Sequence, residues 1–217
     1  MSDLDPVTRR NIRLTVALLL AVVLLVMGGL TYRLSQPRIL NAYELRNEHA
    51  YLIDPPRPVA GLSLIDQAGR PFTEAELKGH WTLAFFGFTH CGDICPATMA
   101  TLAKMYAELK PGEQKDLQVI FVSVDPERDT PPVLSTYVTR FHPDFAGVTG
   151  EPARLLKVAL EWQTGFAPPV AGGTDYQVQH SGNLVLINPR GELHALLVPP
   201  FEHGALRVAL RSLRATY

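Results

Sequence analysis

The chain has 217 residues, 47% of them hydrophobic, and a formal net charge of −1. This length allows one large domain or a smaller domain with an accessory segment, and the pattern along the chain favours the second arrangement. The basic residues form no long cluster, so composition gives no support for nucleic-acid binding and we expect no nucleic acid among the partners.

A long apolar run lies near the amino terminus. No charged residue occurs from residue 14 to residue 32, and a helix needs about 20 such residues to cross the hydrocarbon core of a membrane. Arg9, Arg10 and Arg13 precede the run, which is also typical of a cleavable signal peptide. The run exceeds the usual signal core of about 7–15 residues and no clear Ala-x-Ala site follows it, which favours an uncleaved anchor.

Flanking arginines predict the orientation of this anchor. Those before the span lie closer to its edge than those after it, which places the amino terminus inside the cell. The sequence therefore predicts a cytoplasmic segment at residues 1–13 and a single transmembrane anchor at 14–32 in a bacterial inner membrane. A proline-containing linker at 33–57 and a globular domain at 58–217 in the periplasm follow. In that compartment paired thiols oxidise unless a reductant or a metal protects them.

The first elements of the domain indicate a β-α-β unit. Residues 62–65 and 70–72 predict a short hairpin, and Thr73 and Glu76 have the spacing of a capping box for a brief helix. Nearly continuous apolar runs at 81–87 and 117–124 predict strands that are buried on both faces. A helix that begins at Pro96 lies between them, so the two strands are expected to be parallel.

The later elements complete the predicted fold. Two helices, from Pro131 to near Pro143 and from about Ala153 to Trp162, precede a long irregular stretch over residues 163–182, and loops of that length are usually functional. A hairpin at 184–188 and 194–198 and an amphipathic helix at about 202–214 follow. This order predicts an α/β, thioredoxin-like fold, a central mixed sheet flanked by helices, with an N-terminal transmembrane helix.

Cys91 and Cys95 are the two cysteines of the chain, and they lie between the first buried strand and the helix after it. At such a turn the helix dipole stabilises a thiolate. The pair can form a structural disulfide, exchange disulfides with another protein, or bind a soft metal such as Cu(I) or zinc.

A third donor would favour the metal. His180 is the best-placed candidate because it lies just before the strand at 184–188. In thioredoxin-like proteins the loop before that strand normally carries a cis-proline, whereas no proline occurs here between residues 170 and 188. We expect His90 to point away from the site and Met99 to pack in the core of its helix.

Three motifs together resemble the Sco/SenC family of membrane-tethered copper proteins. They are GFTHCGDICP at residues 87–96, VDPERDTP at 124–131 and QHS at 179–181. The resemblance implies that Cys91, Cys95 and His180 bind copper, as Cu(I) or Cu(II). Family members help to assemble the binuclear CuA centre of cytochrome c oxidase, by passing copper or by reducing the cysteines of that centre.

The resemblance also implies partners and a role. The partners would be the copper-bearing subunit of cytochrome c oxidase and another periplasmic copper chaperone or a thiol reductant. A metallochaperone of this kind is not an enzyme. In the alternative, Cys91 and Cys95 are the redox-active pair of a thiol-disulfide reductase. A peroxidase-like protein shares the plan, but no motif for an activated cysteine with its own acid-base neighbours is clear.

Some residues of the motifs have several interpretations. Gly92 replaces the first proline of the common Cys-Pro-Asp-x-Cys-Pro, and Gln179 replaces the acidic residue that usually precedes the histidine. We expect Gly92 to loosen the turn and Gln179 to remove a negative charge. The charged side chains of the second motif either support the site, dock a partner, or cap the next helix; they are Asp125, Glu127, Arg128 and Asp129.

Overall fold

The computed structural model describes residues 5–36, 38–167 and 176–217. It divides into two compact units, Met1–Arg38 and Ile39–Tyr217. The described part of the first unit is the helix α1 (Pro6–Ser35). Residues 6–34 of α1 are long and apolar enough to cross a membrane, by length and composition, and they include the predicted span at 14–32.

The described residues of the second unit form an eight-stranded mixed sheet and a separate two-stranded ribbon, β7 with β8. The order in the large sheet is β1-β10-β9-β4-β5-β6-β2-β3. The strands are β1 (Ala50–Pro58), β2 (Leu64–Asp66), β3 (Pro71–Phe72), β4 (Trp81–Gly87), β5 (Leu117–Ser123), β6 (Ala146–Thr149), β7 (Phe166–Ala167), β8 (Gln179–His180), β9 (Leu184–Ile187) and β10 (Glu192–Leu197). The helices are α2 (Ala42–Asn47), α3 (Ile94–Ala107), α4 (Pro111–Lys115), α5 (Pro131–Thr139), α6 (Pro152–Glu161) and α7 (His203–Arg214), with a 3-10 helix at Glu74–Leu77.

The centre of the sheet follows the predicted pattern. Every residue of β4 is buried, and so is every residue of β5 except Gln118. β4 pairs in parallel with β5 and antiparallel with β9. Apolar side chains on both faces of these strands explain the burial, since helices must cover each face. The predicted thioredoxin-like fold is confirmed, with β4 ending at the cysteines.

The helix after the cysteines begins earlier than predicted. α3 starts at Ile94 rather than at Pro96, so Cys95 lies in its first turn. Pro96 fits there because the first-turn amides of a helix have no partner within the helix, and proline has no N–H to leave unpaired.

The stretch predicted as a linker at residues 33–57 contains regular structure. Asn41 and Glu44 form a capping box for α2. β1 pairs antiparallel with β10 at the edge of the sheet, with an irregularity between Leu52 and Arg57. Three prolines obscured this strand in the sequence, yet proline is tolerated on an edge strand because one side of the strand needs no ladder hydrogen bonds.

Further differences lie in the middle of the chain. β6 pairs in parallel with β5 and was not predicted. Thr149 ends β6, and Glu151 takes the N-cap position of α6 without a side-chain hydrogen bond. Within the stretch predicted as irregular, β7 and β8 pair with each other. Residues 168–175 of that stretch lie outside the described residues.

Candidate metal centre

The end of β4 brings Cys95 against the sheet. A Cβ atom at Gly87 would lie 2.7 Å from Cys95 Sγ and 2.8 Å from the ring of Phe121. Only glycine leaves room for this approach. The sulfur of Cys95 is therefore packed at the carboxyl end of the central strands, which is where ligand sites of α/β sheets commonly lie.

Three donor atoms meet at this point. Cys91 Sγ, Cys95 Sγ and a ring nitrogen of His180 all lie within 4.8 Å of one another. His180 Nε2 is 3.3 Å from Cys95 Sγ. Cys95 is fully buried, while Cys91 and His180 are partly exposed. The structure thus brings together the three residues that the sequence predicts as metal ligands.

The surroundings of His180 select its neutral, metal-ready form. Nδ1 lies 3.1 Å from the carbonyl oxygen of Ser181, and because a carbonyl only accepts, Nδ1 carries the proton. Nε2 is then left with its lone pair towards Cys95. The pKa of His180 is lowered below its ordinary value, mainly because the imidazole is buried. The rings of Phe85 and Phe88 lie edge-on to the imidazole at 6.0 and 5.9 Å, which accounts for that burial.

The two sulfurs differ in their environment. Burial is the main cause that raises the pKa of the Cys95 thiol, so its loss of a proton needs a compensating positive charge nearby. Cys91 Sγ accepts a hydrogen bond from the Cys95 backbone N–H at 3.4 Å. Cys91 is the more exposed residue of the pair, and Cys95 is the one that the fold encloses.

Other residues predicted around the site lie outside the donor cluster. His90 has 53% of its side chain exposed, and its Nδ1 lies 3.1 Å from Thr89 Oγ1. Met99 is fully buried in the core. A Cβ atom at Gly92 would meet nothing within 4 Å, and the Gln179 side chain is exposed in β8.

Tyr176 is a residue near the site that the sequence did not indicate. Its hydroxyl donates to Asp125 Oδ1 at 2.6 Å, and this hydrogen bond is the main cause that raises the pKa of Tyr176 to about 12. Its ring lies under the guanidinium of Arg128, 3.7 Å from the ring centroid. The second motif indicated Asp125 and Arg128, but no local signal indicates a partner about 50 residues away.

Comparison with known proteins places the chain in a family. The family model described as SCO1/SenC matches residues 54–213. The chain belongs to the SCO1/SenC family. A putative copper-binding protein of Stutzerimonas stutzeri is 35% identical over 166 residues, which cover 76% of this chain and 81% of that protein. The chain is 40% identical to the mitochondrial SCO2 protein of Saccharomyces cerevisiae over 132 residues, which cover 44% of that protein.

Solved Sco structures share the fold. The crystal structure of Arabidopsis thaliana ScoI with copper bound has a TM-score of 0.66 and 33% identity, covering 75% of this chain and 98% of that one. The BsSco structure has a TM-score of 0.60 and 25% identity, covering 76% and 99%. BsSco is described as a member of the Sco family of cytochrome c oxidase assembly proteins that has a disulfide switch.

Proposed function

We propose that this chain is a membrane-anchored copper chaperone of the SCO1/SenC family. Cys91, Cys95 and His180 hold the copper, and the protein assists assembly of the CuA centre of cytochrome c oxidase. The observation that carries the proposal is the meeting of two sulfurs and one imidazole nitrogen within 4.8 Å. Relatives solved with copper bound support the choice of metal.

The donor set suits copper by type and by spacing. Thiolates and imidazole are the ligands of soft and borderline metals, and two sulfurs with one nitrogen suit Cu(I). Metal bonds to sulfur and imidazole nitrogen are about 2.0–2.3 Å long in zinc sites, so three donors spaced evenly around one ion of similar size lie about 4 Å apart. A pair at the observed limit of 4.8 Å would have to close by about 0.8 Å.

The chain's own groups determine how copper is bound and released. His180 arrives neutral with Nε2 unprotonated, so it gives up no proton on binding. Cys95 gives up its proton because the metal supplies the positive charge that its buried thiolate requires. Cys91 lies at the solvent side, where an acceptor protein would first meet the site.

Anchoring and partners belong to the same proposal. α1 anchors the chain in a bacterial inner membrane as a single pass, with residues 1–13 in the cytoplasm and the second unit in the periplasm. The acceptor is the copper-bearing subunit of cytochrome c oxidase, and copper arrives from another periplasmic chaperone. The length and apolarity of residues 6–34 support the anchor.

A copper competition experiment tests the ligand set. The reduced full chain in detergent would be titrated with Cu(I) against a chromophoric chelator, as wild type, His180→Ala and His90→Ala. Loss of outer-shell partners costs about 10–100-fold in metal affinity, so loss of the ligand His180 should cost more than about 100-fold. His90→Ala should bind as wild type does. Equal affinity of His180→Ala and wild type would remove His180 from the site.

Thiol-disulfide exchange is the second candidate function. The close approach of Cys91 and Cys95 favours it, and BsSco is described as having a disulfide switch. In this role Cys91 and Cys95 each give up one proton and one electron, which together reduce one target disulfide to two thiols; the pair becomes a disulfide itself and is reduced again by a thiol reductant. If His180→Ala still supports oxidase assembly while either cysteine variant fails, exchange is the main function.

A further inference from the structure

The turn that follows β5 contacts both segments that carry the donor atoms. We call residues 125–129 the acidic turn; it closes on itself through a hydrogen bond from the Asp129 backbone N–H to the Asp125 carbonyl at 2.9 Å. The cysteine loop lies on one side of this turn, and the chain that leads to His180 lies on the other.

Asp129 holds the cysteine loop. Its carboxylate is fully buried and accepts from the Thr89 backbone N–H at 2.9 Å, from Thr89 Oγ1 at 2.5 Å and from Ser123 Oγ at 2.5 Å. Thr89 stands two residues before Cys91. These contacts fix the start of the loop that carries the sulfurs.

Asp125 and Arg128 hold the segment before His180. Asp125 has 1% of its surface exposed, and it accepts from Arg128 Nε at 2.5 Å and from the Tyr176 hydroxyl at 2.6 Å. Arg128 also donates to the Tyr176 carbonyl oxygen at 3.0 Å while its guanidinium stacks on the Tyr176 ring. Tyr176, four residues before His180, is thus fixed through its ring, its hydroxyl and its backbone.

Helix capping does not account for these buried charges. The N-cap of α5 is Thr130, which makes no side-chain cap hydrogen bond. The carboxylates of Asp125 and Asp129 accept hydrogen bonds from Tyr176 and Thr89, which lie 51 and 40 residues away in the sequence. Burying carboxylates is costly unless they are fully paired. The two buried carboxylates connect the cysteine loop with the segment that leads to His180.

We propose that Arg128 is a positioning residue that keeps the imidazole of His180 beside Cys95. Arg128 holds Tyr176 beside Asp125. This contact fixes the path of the chain that leads into β8. The guanidinium also lies 5.8 Å from the centroid of the Phe88 ring, and that ring packs edge-on against His180. The part concerning copper rests on the proposed function, whereas the positioning of His180 does not.

The first test needs no metal. Because Cys95 is enclosed with His180 in contact with it, loosening the His180 segment should expose the sulfur. The reduced, metal-free full chain would be treated with iodoacetamide, and modification of Cys91 and Cys95 would be followed separately by peptide mass. Arg128→Met removes charge-assisted hydrogen bonds and a stacked contact, so Cys95 should react about tenfold faster or more.

Matched controls lie within the same chain. Arg190 also pairs with a carboxylate, Glu192, at 2.8 Å and lies 4.8 Å from the Tyr217 ring centroid, away from the site. Arg190→Met should leave Cys95 reactivity unchanged. Tyr176→Phe, a milder variant, removes only the hydroxyl contact and should change reactivity in the same direction as Arg128→Met. Wild-type Cys95 rates in both Arg128→Met and Tyr176→Phe would overturn the proposal.

A double-mutant cycle on Cu(I) affinity separates positioning from general damage. Arg128→Met alone should weaken binding about 10–100-fold. In the His180→Ala background the same change should alter affinity less than about twofold, because Arg128 then has no imidazole to position. An equal loss in both backgrounds would overturn the positioning role. If His180→Ala binds copper like wild type, the proposed ligand set fails, while the iodoacetamide result still decides the positioning of His180.

Discussion

Gly87 gives the most direct prediction about how the fold encloses Cys95. The ordinary contact distance begins at 3.4 Å, and a Cβ atom at Gly87 would lie about 0.7 Å closer than that to Cys95 Sγ and about 0.6 Å closer to Phe121. Both neighbours are fully buried, so neither can move into open space. Forcing a methyl group into a packed core costs about 1–3 kcal/mol, and we expect Gly87→Ala to lower the free energy of unfolding by that amount.

Chemical denaturation followed by tryptophan fluorescence measures this loss. The chain has two tryptophans, Trp81 and Trp162, and both are buried in the second unit, so the signal reports that unit. Gly92→Ala is the control, since a Cβ atom there meets nothing within 4 Å; its change should stay within about 0.5 kcal/mol.

A second background tests the contact itself. In Cys95→Ala the sulfur that meets the new methyl group is gone, so Gly87→Ala should cost less there than in the wild type. If Gly87→Ala is as stable as wild type, or if its cost is the same with and without the Cys95 sulfur, the packing described for this site is wrong.

Three further predictions concern charge, protons and the membrane. Arg211 hydrogen-bonds Glu113 through two nitrogens at 2.7 and 3.0 Å and is the main cause that lowers the pKa of Glu113 to about 2. A depressed carboxyl pKa contributes stability above the unfolded value, so Glu113→Gln should cost about 1–2 kcal/mol at pH 7. The cost should fade in pH-dependent denaturation between about pH 4.5 and pH 2, and a cost that persists at pH 2 would refute the ion pair's role. Because Cys91 and Cys95 both bind metal as thiolates, binding releases up to two protons, so Cu(I) affinity should rise about tenfold or more per pH unit from pH 7 to 8, and a flat competition profile would contradict this. The full chain should remain in the membrane pellet after alkaline carbonate extraction, whereas a chain lacking residues 1–34 should be released; release of both would contradict the anchor.

The centre of the fold could be predicted from the sequence because its signals are local. The bounds predicted for β4 agree with the structure at both ends, since Gly79 and His80 precede the apolar run and Gly87 ends it. The edge of the sheet could not be predicted, because β1 depends on pairing with β10 about 140 residues away and its prolines indicate a linker. α2 has only six residues, too short for a helical periodicity to be visible.

The site was predictable only in part, because some of its contacts join segments that are distant in the sequence. The spacing of Cys91 and Cys95 and the absence of a proline near His180 indicated three donor residues, and the structure brings them together. Their role as metal ligands stays a prediction. The contact of Arg128 with Tyr176 joins segments 48 residues apart, and only the folded chain shows that the acidic turn contacts both.

X-ray absorption at the copper edge, on the full chain loaded with one equivalent of Cu(I), tests the central claim most directly. Ligands from Cys91, Cys95 and His180 predict two sulfur scatterers and one nitrogen scatterer per copper, with the nitrogen lost in His180→Ala. A site with sulfur ligands alone, or one whose nitrogen scatterer remains in His180→Ala, would contradict the account.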